Sequence, residues 1–407
     1  MCLVAAARAS EPAPTADDSE DTGEWKTPRT EANVLPAAGG DTDIGIGGGG
    51  LFDVARVKPY VEPYAWRIEG SGFIAFKLRD EALRVTYQDY YFQWTAPHAL
   101  TDRLRLEVRP SFTMEPTQKY FGIGNAAPDV REGHDYGSDT RYFEYSRTRA
   151  SLQVTARIRL SGPLHAQVSP SYTQNWLDAR EDSALSTDMR TGGSKVRELL
   201  GDTRPHGVAR FEYGIVWDTR NDEVSTITGG FHHVKLRLSP GGSGEVPYRF
   251  GQVNVTARFY VTPVRGVTLA VRLVGDLLFG SPPFYELARY EDTYAFGGAN
   301  GVRGIPAQRY YGKIKTFGNF EARFRVAEFS LLGKASKFSL VTFVDGGRLW
   351  TDYQGTADLD GPLLNVKYGL GGGFRLQQGE TFLLRADVAW SPDARPIGVY
   401  FDASQAF

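Results

Sequence analysis

One cysteine, Cys2, occurs in 407 residues, so neither an internal disulfide nor a cysteine-based metal site is available. The six histidines add little. His232 and His233 are adjacent in a strand-like segment and point to opposite faces, while His98, His134, His165 and His206 show neither metal nor triad spacing. No G-x-S-x-G tract supports a Ser/His/Asp hydrolase. The glycine tract at 45–50 lacks the Lys-Ser/Thr ending of a phosphate loop. No apolar run approaches the roughly 18 residues of a membrane helix. A net charge of −2 excludes a globally basic nucleic-acid binder. Catalysis, metals, cofactors and nucleic acid are therefore not expected.

What the chain does have is alternation. Between residues 147 and 160, Ala150, Leu152, Val154, Ala156, Ile158 and Leu160 share one parity, and Arg147, Arg149, Gln153, Arg157 and Arg159 share the other. A strand has period two, so such a segment has one apolar and one basic face. The pattern returns in Leu104/Leu106/Val108/Phe112 against Arg103/Arg105/Glu107/Arg109, and in Val253/Val255/Ala257/Phe259 against Gln252/Asn254/Thr256/Arg258. Phe320/Ala322/Phe324 against Asn319/Glu321/Arg323, and Leu384/Ala386/Val388/Trp390 against Arg385/Asp387, repeat it near the end.

A soluble β-sandwich would alternate too. Strand length argues for a membrane: the segments run to about a dozen residues, near the roughly 9–11 that cross a bilayer at a tilt. Many of the 21 Tyr and 7 Trp lie near strand ends, where an interfacial girdle would place them. At 41% hydrophobic residues the composition looks soluble, yet a transmembrane barrel needs apolar residues only at every second position. Counting back from Phe407 predicts sixteen strands, near 396–407, 380–391, 363–377, 336–349, 311–326, 264–279, 247–261, 228–238, 206–219, 163–177, 141–160, 102–115, 83–95, 64–78, 43–55 and 30–38. Tight links such as Ser161-Gly162-Pro163 alternate with long ones such as 116–140 and 177–205, the asymmetry of periplasmic turns and external loops. The fold expected is all-β: a 16-stranded antiparallel transmembrane β-barrel spanning 30–407. Residues 1–9 read as the remnant of a secretory signal, with Ala7-Arg8-Ala9 as its small-x-small end, and 10–29 as a disordered periplasmic leader rich in Pro, Asp, Glu and Thr.

The most informative stretch is FGGANGVRGIPAQRYYGK at 296–313, a glycine-punctuated loop with Arg303 at its centre. It falls in the sixth external loop. A barrel of sixteen strands is too wide for side chains to fill, so a loop can fold inward. A guanidinium desolvated there wants a planar carboxylate, and Glu321 and Asp345 have lumen-facing parity on the flanking strands. The alternative is a solvated Arg303 beside a turn glycine.

Val302-Arg303-Gly304-Ile305, preceded by Gly297-Gly298, resembles the VRG loop tip of the bacterial surface antigen superfamily of BamA/TamA-type assembly factors and two-partner secretion barrels. Phe343-Val344-Asp345-Gly346-Gly347 is similar to that superfamily's FxDxG strand motif; Asp218-Thr219-Arg220, Phe121-Gly122-Ile123-Gly124-Asn125 and a terminal Phe407 add to the likeness. The resemblance implies an inward-folded sixth loop locked through Arg303, with Glu321, Asp345, Phe343 and Gly347 around the lock. With about 30 residues ahead of the first strand, it implies a barrel-only member without POTRA domains. It further implies a place in the bacterial outer membrane among lipid and lipopolysaccharide, unfolded outer-membrane or secreted proteins as clients, and contact with assembly machinery through the C-terminal strand.

Closure between first and last strands reads as the weakest seam. Pro36 cannot donate a ladder hydrogen bond, and Gly45, Gly47, Gly48, Gly49 and Gly50 pack poorly in the second strand. Phe407 is expected on the other side of that seam. In relatives the seam opens laterally to template or insert client strands, and an exposed edge invites pairing. Those glycines could equally serve only to ease curvature. Two functions remain open: a barrel that helps insert, assemble or export polypeptides, and a plugged channel or passive surface barrel.

Overall fold

Sixteen antiparallel strands close on themselves in the computed structural model. It describes residues 28–407 apart from 42–43, 59–60, 80, 223–224, 292–293, 332–333, 379–381, 395–396 and 403–404. The expected signal remnant and nearly all of the leader lie outside the described residues.

The strands are β1 Arg29–Asp41, β2 Gly45–Lys58, β3 Val61–Arg79, β4 Ala82–Ala96, β5 Leu104–Lys119, β6 Glu144–Ser161, β7 Leu164–Asp178 and β8 His206–Asp218. They continue as β9 Gly229–Gly241, β10 Phe250–Val264, β11 Val267–Gly280, β12 Ile314–Leu331, β13 Lys334–Trp350, β14 Lys367–Gln378, β15 Phe382–Trp390 and β16 Gly398–Asp402. Each pairs with its neighbours in chain order, and β1 pairs with β16 to close the cylinder.

Period two sorts the side chains. On β6, Leu152 and Ile158 are exposed on the outer face, while Arg147 is 1% exposed. On β8, Phe211, Tyr213, Ile215 and Trp217 form an exposed apolar stripe, with Arg210 and Glu212 buried behind it. Such a stripe on a water-soluble protein would be an aggregation surface; on a barrel it faces acyl chains. The opposite parity lines the lumen with hydrogen-bonded polar groups. Arg147 Nη2 donates to Asn175 Oδ1 at 2.9 Å, and Arg237 Nη2 to Glu212 Oε2 at 2.8 Å.

The long loops gather into a dome over one end. Residues 120–143, helices α1 Ala184–Thr191 and α2 Ser194–Leu200, and the stretch 281–313 share one aromatic-rich core containing Tyr120, Phe121, Phe143, Leu185, Phe284 and Tyr311. Polar clasps join the loops: Arg131 reaches Asp188 at 2.8 Å, Asn125 Nδ2 donates to the Asn365 carbonyl at 2.6 Å, and Lys195 pairs with Asp352. The Asp352 hydrogen bond holds the Lys195 ammonium above its ordinary range.

Two expectations need correction. The final strand is Gly398–Asp402 rather than 396–407, and residues 405–407 leave the sheet. They turn into the lumen. Phe407 is buried beside Tyr260, with the guanidinia of Arg272 and Arg323 at 4.9 and 5.5 Å from its ring centre. It is therefore not part of the seam. The physical reason is local chemistry: cationic side chains offer the ring cation–π partners, and Arg272 Nη1 and Arg323 Nη2 donate to the carbonyls of Ala406 and Phe407.

Candidate functional site

The loop between β11 and β12 turns inward because its own residues cannot stay in water. Phe284, Tyr285, Leu287, Tyr290, Phe296, Val302, Ile305, Tyr310 and Tyr311 are all buried. Near the tip, Val302, Ile305, Phe296 and Tyr310 pack with Phe317, Leu349 and Ala394. Val302 N donates to Phe296 O at 2.6 Å and Gly298 N to Ile305 O at 2.8 Å, so the tip is a closed turn. The barrel wall grips it from below. Arg272 Nη2 donates to Asn300 O at 2.7 Å and Asn319 Nδ2 to Gly301 O at 2.8 Å.

Arg303 sits at the centre, with no exposed surface. Its Nε and Nη2 form a two-pronged contact with Asp345 at 2.7 and 2.9 Å, and its backbone N–H donates to the same carboxylate at 3.0 Å. Nη1 reaches Glu321 Oε1 at 2.7 Å and Asp387 Oδ2 at 3.1 Å. The Phe343 ring lies 3.4 Å from the guanidinium carbon. A planar fork with five N–H donors suits this arrangement, and a lysine ammonium could not reproduce it.

The acids are balanced in turn by further arginines. Arg323 Nε donates to Glu321 at 2.8 Å, Arg375 Nη1 to Asp387 at 2.5 Å, and Arg385 Nη2 to Asp402 at 3.0 Å. Four guanidinia, Arg303 on the loop and Arg323, Arg375 and Arg385 on the wall, therefore face Glu321, Asp345, Asp387 and Asp402 in a buried network. Charges this deeply desolvated persist only when paired and hydrogen-bonded.

Gly304 shows why the tip is glycine. Its φ is +91°, and a Cβ there would lie 2.8 Å from the Trp390 carbonyl carbon. Gly304→Ala is expected to lose on the order of 1 kcal/mol from the left-handed backbone alone, and more from that contact. A lowered urea midpoint for the folded barrel is the measurement. Gly304 N also donates to the Tyr400 hydroxyl at 2.9 Å, joining the loop tip to β16.

The structure thus gathers Val302, Arg303, Gly304, Ile305, Glu321, Phe343 and Asp345 at one place. Gly347 lies farther along β13, where a Cβ would fall 2.7 Å from the Phe296 ring. Sequence reasoning missed Asp387, Arg375, Arg385 and Tyr400 as participants. Their lumen-facing parity was readable, but nothing in the chain order brings β15 and β16 to the loop tip.

The proline and glycines expected at the seam lie apart from this network. Pro36 on β1 faces Gly50 on β2 in register, and Gly47, Gly48 and Gly49 face Gly39, Ala38 and Ala37. Gly47 seats a ring: a Cβ would fall 2.5 Å from the Phe73 ring of β3. Gly45 has φ +88° at the start of β2. β1 meets β16 through Gly40↔Phe401 and Asp41↔Tyr400, whereas β1 and β2 pair in register from Arg29↔Val57 to Asp41↔Gly45.

A family model described as the Omp85 superfamily domain matches residues 77–407. Among solved structures, the chain is similar to BamA from Haemophilus ducreyi lacking POTRA domains 1–3, with a TM-score of 0.61 and 14% identity over 92% of this chain and 70% of that one. It is also similar to CdiB from Escherichia coli, with a TM-score of 0.55 and 13% identity over 90% of this chain and 62% of that one, less than two thirds of its length. At such identities the likeness is one of fold. No curated protein matches the chain by sequence.

Proposed function

Because this chain belongs to the Omp85 superfamily and lies in the outer membrane as a closed β-barrel, we propose that it assists the insertion, assembly or translocation of other proteins there. One observation carries the reading. β1 is thirteen residues long, yet among the described residues it meets β16 at two register pairs near its outer end, and residues 405–407 turn away into the lumen. Among the described residues, the periplasmic part of the β1 edge thus has little β16 to pair with. A strand edge holds unpaired N–H and C=O groups and templates another strand.

The rest of the barrel supports a sideways exit. The dome lies over the external end, and the loop tip packs inside the barrel against β12, β13 and β15. A polypeptide served by this barrel would then meet the membrane through the β1–β16 seam. Tyr400 ties the two features together, since it pairs with Asp41 at the seam and accepts from Gly304 at the loop tip. Partners on this reading are unfolded outer-membrane or secreted proteins, the lipid and lipopolysaccharide around the barrel, and assembly machinery reached through the C-terminal strand.

Proteoliposomes test it. With the purified barrel incorporated, an unfolded outer-membrane β-barrel client is expected to fold at least about tenfold faster than in empty vesicles, about 1.4 kcal/mol of barrier. Equal rates would dispose of the proposal. The second reading, a plugged channel, draws on the half-buried arginines Arg105, Arg109 and Arg157 along the lumen faces of β5 and β6. A steady ion-selective conductance in planar bilayers favours the channel; small flickering events favour the plugged machine.

A further inference from the structure

The periplasmic end of the lumen holds a second cluster, below the loop tip and sharing two arginines with its network. A cavity of about 50 Å³ lies among the lower ends of β12, β13 and β14, the turn after β8 and the inturned C-terminal residues. Arg323, Arg325, Lys337 and Arg375 line it, together with the amides of Gln377 and Gln405, and among the described residues no carboxylate does. Arg323 and Arg375 are buried on its inner side, while Arg325 and Lys337 are exposed at its mouth, and like charges gathered in this way repel one another.

Part of this charge is already used. Arg323 Nε is taken by Glu321, Arg375 Nη1 by Asp387, and Arg325 Nη1 by Glu328 at 2.9 Å on the rim. Arg375 Nε donates to Gln405 Oε1 at 3.0 Å. Two groups stand out. Among the described residues, neither the Lys337 ammonium nor the Gln377 side-chain amide has a protein partner, although Gln377 is only 7% exposed. The Gln377 amide opens onto the cavity, where a ligand or water can complete its hydrogen bonding.

We infer that this cavity binds a small oxyanion, a phosphate or carboxylate group presented from the periplasmic side. The Lys337 ammonium supplies the mobile charge, the Gln377 amide supplies a neutral donor, and Arg323 and Arg375 supply fixed positive potential behind them. Charge-assisted hydrogen bonds to an oxyanion are about twice as strong as neutral ones, which suits so small a site. Arg323 and Arg375 also hold Glu321 and Asp387, the acids of Arg303. Oxyanion and loop tip therefore draw on the same two guanidinia, and their binding free energies are linked reciprocally.

Calorimetry on the whole barrel in zwitterionic detergent tests this without reference to client folding, so it stands or falls separately from the proposed function. The titrants are sodium phosphate, a neutral pentapeptide with a free C-terminal carboxylate, and the same peptide amidated. Saturable binding of phosphate identifies a phosphate site, and binding of the free but not the amidated peptide identifies a carboxylate site. Lys337→Gln is expected to weaken whichever anion binds by about tenfold. Lys337→Arg should restore it, and both variants should keep the wild-type electrophoretic heat-modifiability, because Lys337 holds no other group. Three results overturn the inference: no saturable binding of either anion, equal binding of both peptides without phosphate binding, or wild-type affinity in the Lys337→Gln variant.

Discussion

Replacing Arg303 by alanine is expected to lower the stability of the folded barrel by about 3–5 kcal/mol, the usual result of removing one member of a buried, hydrogen-bonded charge set. The cause lies less in the hydrogen bonds removed than in the acids left behind. Asp345 would lose both prongs and the backbone donor's geometry, and Glu321 and Asp387 would keep only Arg323, Arg375 and Arg385. The loop tip would no longer be held against the wall. Arg303→Lys should fall between wild type and alanine, since one ammonium cannot serve three carboxylates in a plane.

Urea midpoints, electrophoretic heat-modifiability and protease access to the loop are the readouts. All three should move together. An alanine variant with the wild-type midpoint and an equally protected loop would show that Arg303 is not what holds the tip. Apolar burial of Val302, Ile305, Phe296 and Tyr310 would then be the anchor, and Val302→Ala would become the sensitive change.

The second large effect concerns the seam. Ala38 and Phe401 are exposed on the outer face, and Gly40, two residues along β1 from Ala38, is the register partner of Phe401. Diagonal neighbours of this kind lie roughly 7–8 Å apart at Cα, within reach of a short thiol-reactive linker. Ala38→Cys with Phe401→Cys, bridged after folding, is expected to abolish the acceleration of client folding in proteoliposomes. Cleaving a reducible linker should restore it. Each single cysteine should behave as wild type, because neither side chain makes a contact with the loop-tip network. Full activity in the bridged barrel would mean that clients do not pass between β1 and β16, and the channel reading would gain.

Much of this molecule was legible in its chain because a barrel writes itself in period two. Alternation on segments such as 147–160 told lipid face from lumen face without any knowledge of partners, and every expected strand has its counterpart among β1 to β16. Strand ends were harder. β16 is shorter than expected, because an apolar-polar alternation from Ile397 to Phe407 does not reveal that Arg272 and Arg323, on β11 and β12, compete for the last residues. The glycines of β2 were legible as weak packing, but the seat for Phe73 at Gly47 needed the register with β3.

By itself the sequence determined the strand count, the face each residue shows, the sixth loop with its arginine and the lumen parity of Glu321 and Asp345. These follow from local geometry, since a strand's alternation and a loop's glycines act within a few residues. Only the tertiary structure decided that Asp387 and Tyr400 join Arg303, that residues 405–407 turn inward, and that four cations ring a cavity at the periplasmic mouth. Those relations depend on closure: curving the sheet into a cylinder brings side chains from β12 to β16 and from the loop onto one interior point, and no spacing along the chain encodes that distance.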